Sequence, residues 1–300
     1  MNPNPLLKKL GFSKNDRIII IHADDLGMCQ STITACKELF EMSGISSAAV
    51  MVPCPWFLSA AGLRREVDNI DLGVHVTLTS EWKEYRWKPI SSIDIKSGLF
   101  DSQGYFHATS KEVQNNGNPA FVREEINAQI NKAMSEGILP THIDTHMGAV
   151  AHPKFMFDYI NAGLSRKIPP MLFRLTRNEW MDIGLDESSA TIVETFLLNL
   201  EGQGVPLLDH LRTIPLDEPD NRFEQAVEIF DALPPGITHF IIHPATETPE
   251  LKAITSDWKS RVGDFQLFRN KKIHTYLRNN GIHVVGYQEV KSAFPISVVF

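Results

Sequence analysis

Two adjacent carboxylates, Asp24 and Asp25, close the stretch RIIIIHADDLG (residues 17–27). Histidines recur downstream in GVHVTLT (73–79), THIDTHMG (141–148) and IIHPA (241–245). Carboxylate and imidazole are the donors of catalytic divalent-metal sites, where one Asp and two His leave coordination positions open for water. A second carboxylate that ligates nothing can take a proton from that water, and a histidine opposite it can give one to a leaving group. Each feature has a plainer account. An Asp-Asp pair can be a solvated turn capping a helix, and a lone histidine such as His75 is commonly a satisfied core residue. What favours a metallohydrolase is joint placement: Asp24/Asp25, His75, His142/Asp144/His146 and His243 each lie in or at the end of a separate strand-like stretch.

Those stretches must hold the groups together. Ile18 to Ile21 form an apolar run of strand length without alternation, which reads as a strand buried on both faces. Residues 45–52 form a second strand, ended by Pro53 and Pro55, with a helix over 56–67. In 71–79 the pattern alternates: Leu72, Val74, Val76 and Leu78 face one way, Gly73, His75, Thr77 and Thr79 the other. In 141–148 the residues His142, Asp144 and His146 share a face, an expensive core unless a metal and an orienting acid account for it. Further strands are expected near 172–175, 237–244 and 282–285, with a short apolar run at 205–208. Helices are expected over 30–42, 119–137, 153–166, 187–200, 222–233 and 256–280, and Cys36 falls on a core face of the first. Strands alternating with helices imply a mostly parallel sheet. The fold expected is α/β: a distorted (β/α) barrel forming one domain over residues 1–300. The strand ends of such a barrel gather on one face.

Residues 80–118 break the pattern and read as an irregular insertion, which in a compact domain is usually functional or mobile. Their aromatics, Trp82 and Trp87 among them, either stack on sugar rings beside a polar cleft or anchor the loop.

Composition narrows the function. Hydrophobic residues make up 43% and charged residues 22% of 300, as in a soluble globular enzyme. A net charge of -7, with no Lys/Arg run beyond two residues, argues against nucleic acid or an anionic membrane as partner. The start MNPNPLLKKLGF lacks the apolar core of a signal peptide, and no apolar window is long enough to span a bilayer. Cys29, Cys36 and Cys54 form no CxxC pair and suit reduced thiols in a cytoplasmic protein. Neither GxGxxG nor GxxxxGK[ST] occurs, so no phosphate-binding loop is indicated. The sequence shows no interface pattern and leaves a homo-oligomer open.

The ordered set HADDLG, GVHVTLT, PTHIDTHMG and IIHPA, spanning residues 22–245, resembles the YdjC-like carbohydrate deacetylases, relatives of the polysaccharide deacetylases. The resemblance implies removal of acetyl groups from N-acetylated sugars or oligosaccharides with one divalent metal ion, Mg2+ or Zn2+. It implies Asp25, His75 and His146 as metal ligands, Asp24 as general base and His243 as the group assisting on the leaving-group side. Asp144 and His142 would then support the ligands from behind. After His146 the chain departs from the family's pattern, placing Met147, Gly148 and Val150 where typical members have further histidines. Two other readings stay open: a metal-dependent hydrolase of another small amide or ester, and a non-catalytic carbohydrate-binding relative.

Overall fold

A computed structural model describes residues 2–91, 94–295 and 298 of the chain. Its strands are β1 (Arg17–Leu26), β2 (Ser47–Val50), β3 (Leu72–Val76), β4 (Ile143–Thr145), β5 (His210–Thr213), β6 (Gly236–Ile242) and β7 (Ile282–Val284). All pairings among them are parallel, in the order β4-β3-β2-β1-β6-β5, with β7 joined to the start of β1. The gap between β4 and β5 is crossed by residues 170–173. Pro170 bridges Ile143 and Phe173 bridges Leu208, and the N–H of Met171 donates to the Ile143 carbonyl at 2.8 Å. The ring therefore closes, and the chain is the distorted α/β barrel that its alternating pattern implies. The strand expected at 172–175 is reduced to these bridges, because Pro169 and Pro170 bring no N–H to a ladder.

Parity along the strands sorts side chains into two environments. Ile19, Ile21 and Ala23 of β1, Val74 and Val76 of β3, Ile143 of β4 and Phe240 and Ile242 of β6 pack outward against the helical layer in one continuous core. Ile18, Ile20 and Ile237 belong to a separate cluster with Leu6, Leu7, Leu208, Val285 and Tyr287, which fills one end of the barrel. Burying a side chain of this kind contributes about 1.5–3 kcal/mol, so both clusters matter to the fold. The short helix Pro5–Lys9 supplies Leu6 and Leu7 to this plug. The same parity continues up the strands into His22 and Asp24, His75, His142 and Asp144, and His239. The barrel interior thus changes from isoleucine at one end to imidazole and carboxylate at the other.

Some helix expectations are corrected. The helix expected over 256–280 is two, Trp258–Arg269 and Lys271–Asn279. Asn270 between them takes an extended backbone, and its side chain accepts from the Lys272 N–H, so it starts a new helix. Over 56–67 the α-helix covers only Phe57–Gly62, followed by a 3-10 turn at Leu63–Arg65. The segment 80–118 is irregular only in part. It holds a 3-10 turn at Ile95–Ser97 and a helix at Ser110–Asn116, begun by a capping box between Thr109 and Glu112. Residues 92 and 93 of it lie outside the described residues. Among the described residues, no helix is long and apolar enough to cross a membrane. All three cysteines are buried and unpaired, and burial pushes the Cys36 thiol up, which fits a core role.

Candidate metal centre

Adjacent residues of a regular strand point to opposite faces, yet Asp24 and Asp25 both reach the barrel mouth. The register of β1 against β2 shifts between Ala23 and Leu26, and Asp25 takes a left-handed backbone with φ 61°. This irregularity re-aims Asp25, as bulges beside sites commonly do. At the end of β4 the chain turns through Met147 (φ 50°) and Gly148 (φ 63°), both left-handed. The strand expected over 141–148 therefore covers only residues 143–145, and the turn leaves His146 facing Asp25.

One donor atom each from Asp25, His75 and His146 lies within 4.8 Å of the others. The Asp25 Oδ1 atom is 3.6 Å from His75 Nε2 and 3.2 Å from His146 Nδ1. Both Asp25 Oδ1 and His75 Nε2 are buried and make no hydrogen bond. Such atoms are costly unless something else engages them. Their other sides are fully engaged. Asp144 Oδ1 binds His75 Nδ1 at 2.9 Å, and both oxygens of Glu81 lie 3.1 Å from His146 Nε2. Arg261 Nη1 donates to Asp25 Oδ2 at 2.7 Å. Each candidate ligand is thus oriented from behind by a partner, the arrangement that fixes histidine tautomers around a metal. The donor set fits a divalent cation of the Zn2+ or Mg2+ type.

The electrostatics agree. Burial alone would lower the pKa of His75, but Asp144 and Asp24 outweigh it and raise it to about 9. His146 is likewise raised, Glu81 and Asp25 overcoming burial. Asp25 is held well below the usual carboxylate range, because Arg261 and His146 outweigh its burial. The surrounding carboxylates thus favour positive charge at both enclosed imidazoles.

Asp24 stands beside this set. Its Oδ2 is 3.7 Å from His75 Nε2, and its Oδ1 meets His22 Nδ1 at 2.8 Å. His75, His22 and His243 outweigh burial and keep it ionised at a low pKa. His243 follows β6, and its backbone N–H donates to Asp264 Oδ2 at 2.9 Å. Its ring Nδ1 is buried without a partner. Burial lowers its pKa, against Asp25, Asp24 and Asp264.

The structure brings Asp24, Asp25, His75, His146 and His243 to one mouth, with Asp144 behind His75. His142 sits deeper, stacked on Tyr287 at 3.7 Å, and touches none of the three candidate ligands by hydrogen bond. The expectation that His142 supports a ligand is corrected on that ground. Gly73 makes room for it, since a Cβ there would lie 2.3 Å from its ring. Trp87 is corrected as a sugar contact. It is 3% exposed, and its indole N–H donates to the Thr79 carbonyl at 2.7 Å. Trp82 is half-buried, 5.5 Å from the Trp87 ring and 5.7 Å from the Arg261 guanidinium.

Sequence reasoning passed over Glu81, Arg261, Asp264, His22 and His239. The last two share strand parity with Asp24 and His243, a signal that was available. The first three come from loop and helix, where nothing in their local pattern marks them. A second group, His22, Asp24, Asp144 and His239, also converges. Both nitrogens of His22 are already hydrogen-bonded, so it has no free lone pair for an ion.

A parallel α/β barrel with a buried Asp-His-His set at its strand ends, beside a further Asp and His, belongs to the barrels whose chemistry lies at that face. The chain is a member of the YdjC-like protein family, whose sequence profile matches residues 18–279. It is 29% identical over 288 residues to a protein of Thermus thermophilus named carbohydrate deacetylase, covering 96% of this chain and 98% of that one. A protein of the same name from Thermoanaerobacter pseudethanolicus is 24% identical over 275 residues, covering 92% and 100%. A crystal structure from Enterococcus faecalis, described provisionally as a cellobiose-phosphate cleavage protein, matches with a TM-score of 0.75 at 20% identity. It covers 92% of this chain and 99% of that one, a likeness of fold.

Proposed function

We propose that the protein is a metal-dependent carbohydrate deacetylase that hydrolyses the acetamido group of N-acetylated sugars or oligosaccharides. The observation that carries this reading is the convergence of unpartnered Asp25 Oδ1 and His75 Nε2 with His146 Nδ1 beside a free Asp24. The names of the relatives from Thermus and Thermoanaerobacter support the substrate class.

Asp25, His75 and His146 would hold the ion, with Asp144, Glu81 and Arg261 fixing their orientation. A bound divalent ion supplies Lewis acidity toward the acetyl carbonyl and acidifies water. Asp24 is the base. His22 holds its Oδ1, which leaves Oδ2 toward the ligand cluster to take the proton of the attacking water. His243 stands on the same mouth with an unengaged Nδ1 and, in its protonated form, would give a proton to the departing amine. The half-buried Trp82, next to Arg261, would be the aromatic that meets a sugar ring.

The test is acetate release from a panel of N-acetylated mono- and oligosaccharides, with simple acetamides and acetate esters alongside, after stripping and reloading with Mg2+ or Zn2+. Release from the sugars, only when reloaded, is the expected result. Release from the simple amides or esters alone assigns another acyl hydrolase, and no release with tight sugar binding assigns a binding protein.

A further inference from the structure

Beneath Asp24 the barrel interior contains an unbroken line of polar contacts. Asp24 Oδ1 meets His22 Nδ1 at 2.8 Å, and His22 Nε2 meets His142 Nε2 at 2.9 Å. His142 Nδ1 meets the Thr141 hydroxyl at 2.9 Å, and that hydroxyl also contacts Asp71 Oδ1. His22 and His142 are 0% exposed, so the middle of the line is closed to solvent.

Both ends of this line are carboxylates, and at each inner link one of the two groups donates to the other. The surroundings of His22 include the His142 and His239 rings at 4.9 and 4.6 Å, and Asp144 Oδ2 at 3.6 Å from Nε2. Asp144 is already committed through Oδ1 to His75.

We infer that Asp71, Thr141, His142 and His22 form a buried hydrogen-bond line that positions Asp24 by holding its Oδ1, so that Oδ2 faces the mouth. The far end is anchored: Asp71 Oδ2 accepts from the Gln288 N–H at 2.8 Å and Oδ1 from the Ser47 hydroxyl at 3.0 Å. His22 and its followers are positioning residues: they fix which oxygen of Asp24 faces the mouth. That role rests on the deacetylase reading, whereas the continuity of the line does not.

Histidine-selective 15N NMR of the Zn2+-loaded protein reads the line directly. Thr141→Val should move the ring-nitrogen signals of both His142 and His22, and Thr141→Ser should restore them. Kinetics follow. Thr141→Val should lower kcat about tenfold, at unchanged KM and bound metal, as expected for a broken buried hydrogen bond. Thr141→Ser should recover it. His22 signals that ignore Thr141→Val overturn the line, and a Thr141→Val variant matching the parent in kcat overturns the positioning. If the parent releases no acetate at all, the deacetylase reading fails while the NMR still decides the line.

Discussion

Replacing Arg261 by Met should destabilise the protein mainly when no metal is bound. The guanidinium is 3% exposed and sits 2.7 Å from Asp25 Oδ2, with a second bond to Asp257. At an effective dielectric near 20, opposite charges this close attract by about 6 kcal/mol before desolvation is counted. Removing one partner of a buried pair costs about 3–5 kcal/mol, because the remaining charge is left enclosed. What remains to Asp25 is His146 Nδ1 at 3.2 Å and His75 Nε2 at 3.6 Å from an Oδ1 that makes no hydrogen bond. For a chain of this size each kcal/mol shifts Tm by about 2 °C, so the metal-free variant should melt about 6–10 °C below the metal-free parent. A divalent ion on Oδ1 supplies the charge the arginine took away, so saturating Mg2+ or Zn2+ should narrow the gap. The assay is thermal unfolding of both proteins with chelator and with excess metal. Equal Tm values in chelator would show that Arg261 is not what keeps Asp25 charged. A gap that widens with metal would show that Asp25 does not bind the ion.

Asp24→Asn should keep bound metal while turnover collapses, and Asp25→Asn should lose metal first and regain activity at high metal concentration. Metal titration and kcat on the pair decide this, and the reverse pattern would exchange their roles. His243→Ala should retain metal and lose about 10²- to 10⁴-fold in kcat, as for a missing general acid; metal loss there would make it a ligand. Trp82→Ala should raise KM for an oligosaccharide more than for a minimal acetylated sugar, and equal effects on both would confine it to packing. Trp87→Ala should instead cost about 3–5 kcal/mol of stability, measured by denaturant unfolding, as for a truncated core aromatic.

The barrel was legible because parallel strands announce themselves as apolar runs, and because period-two alternation put His75, and His142 with Asp144 and His146, on inward faces. The isoleucine run of β1 divides as a doubly buried strand should, with Ile19 and Ile21 under helices and Ile18 and Ile20 inside. What stayed hidden depends on approach through space. Arg261 reaches Asp25 across 236 residues of sequence, and Glu81 reaches His146 across 65. No local pattern encodes either meeting. Trp87 looked like an aromatic free to stack because a sequence gives residue type without depth. The capping box of Thr109 and Glu112 was readable as Thr-x-x-Glu, but the aromatic and charged residues before it obscured the change to helix.

The central strand has a consequence for how the mouth breathes. β1 pairs with β6 from Arg17 to Ala23, with β7 over Arg17–Ile19 and with β2 toward its exit, so its amides are engaged on both sides. Backbone groups held in this way open only when the whole domain opens, and their hydrogen exchange should report the global unfolding free energy. His146 follows a three-residue strand and precedes two left-handed residues. The carboxylates of the mouth therefore stand one step beyond the most completely paired part of the molecule, where the β6 ladder ends at Ala23, and His146 stands on one of its shortest ladders. Amides of residues 17–23 should accordingly exchange more slowly than those of residues 143–146.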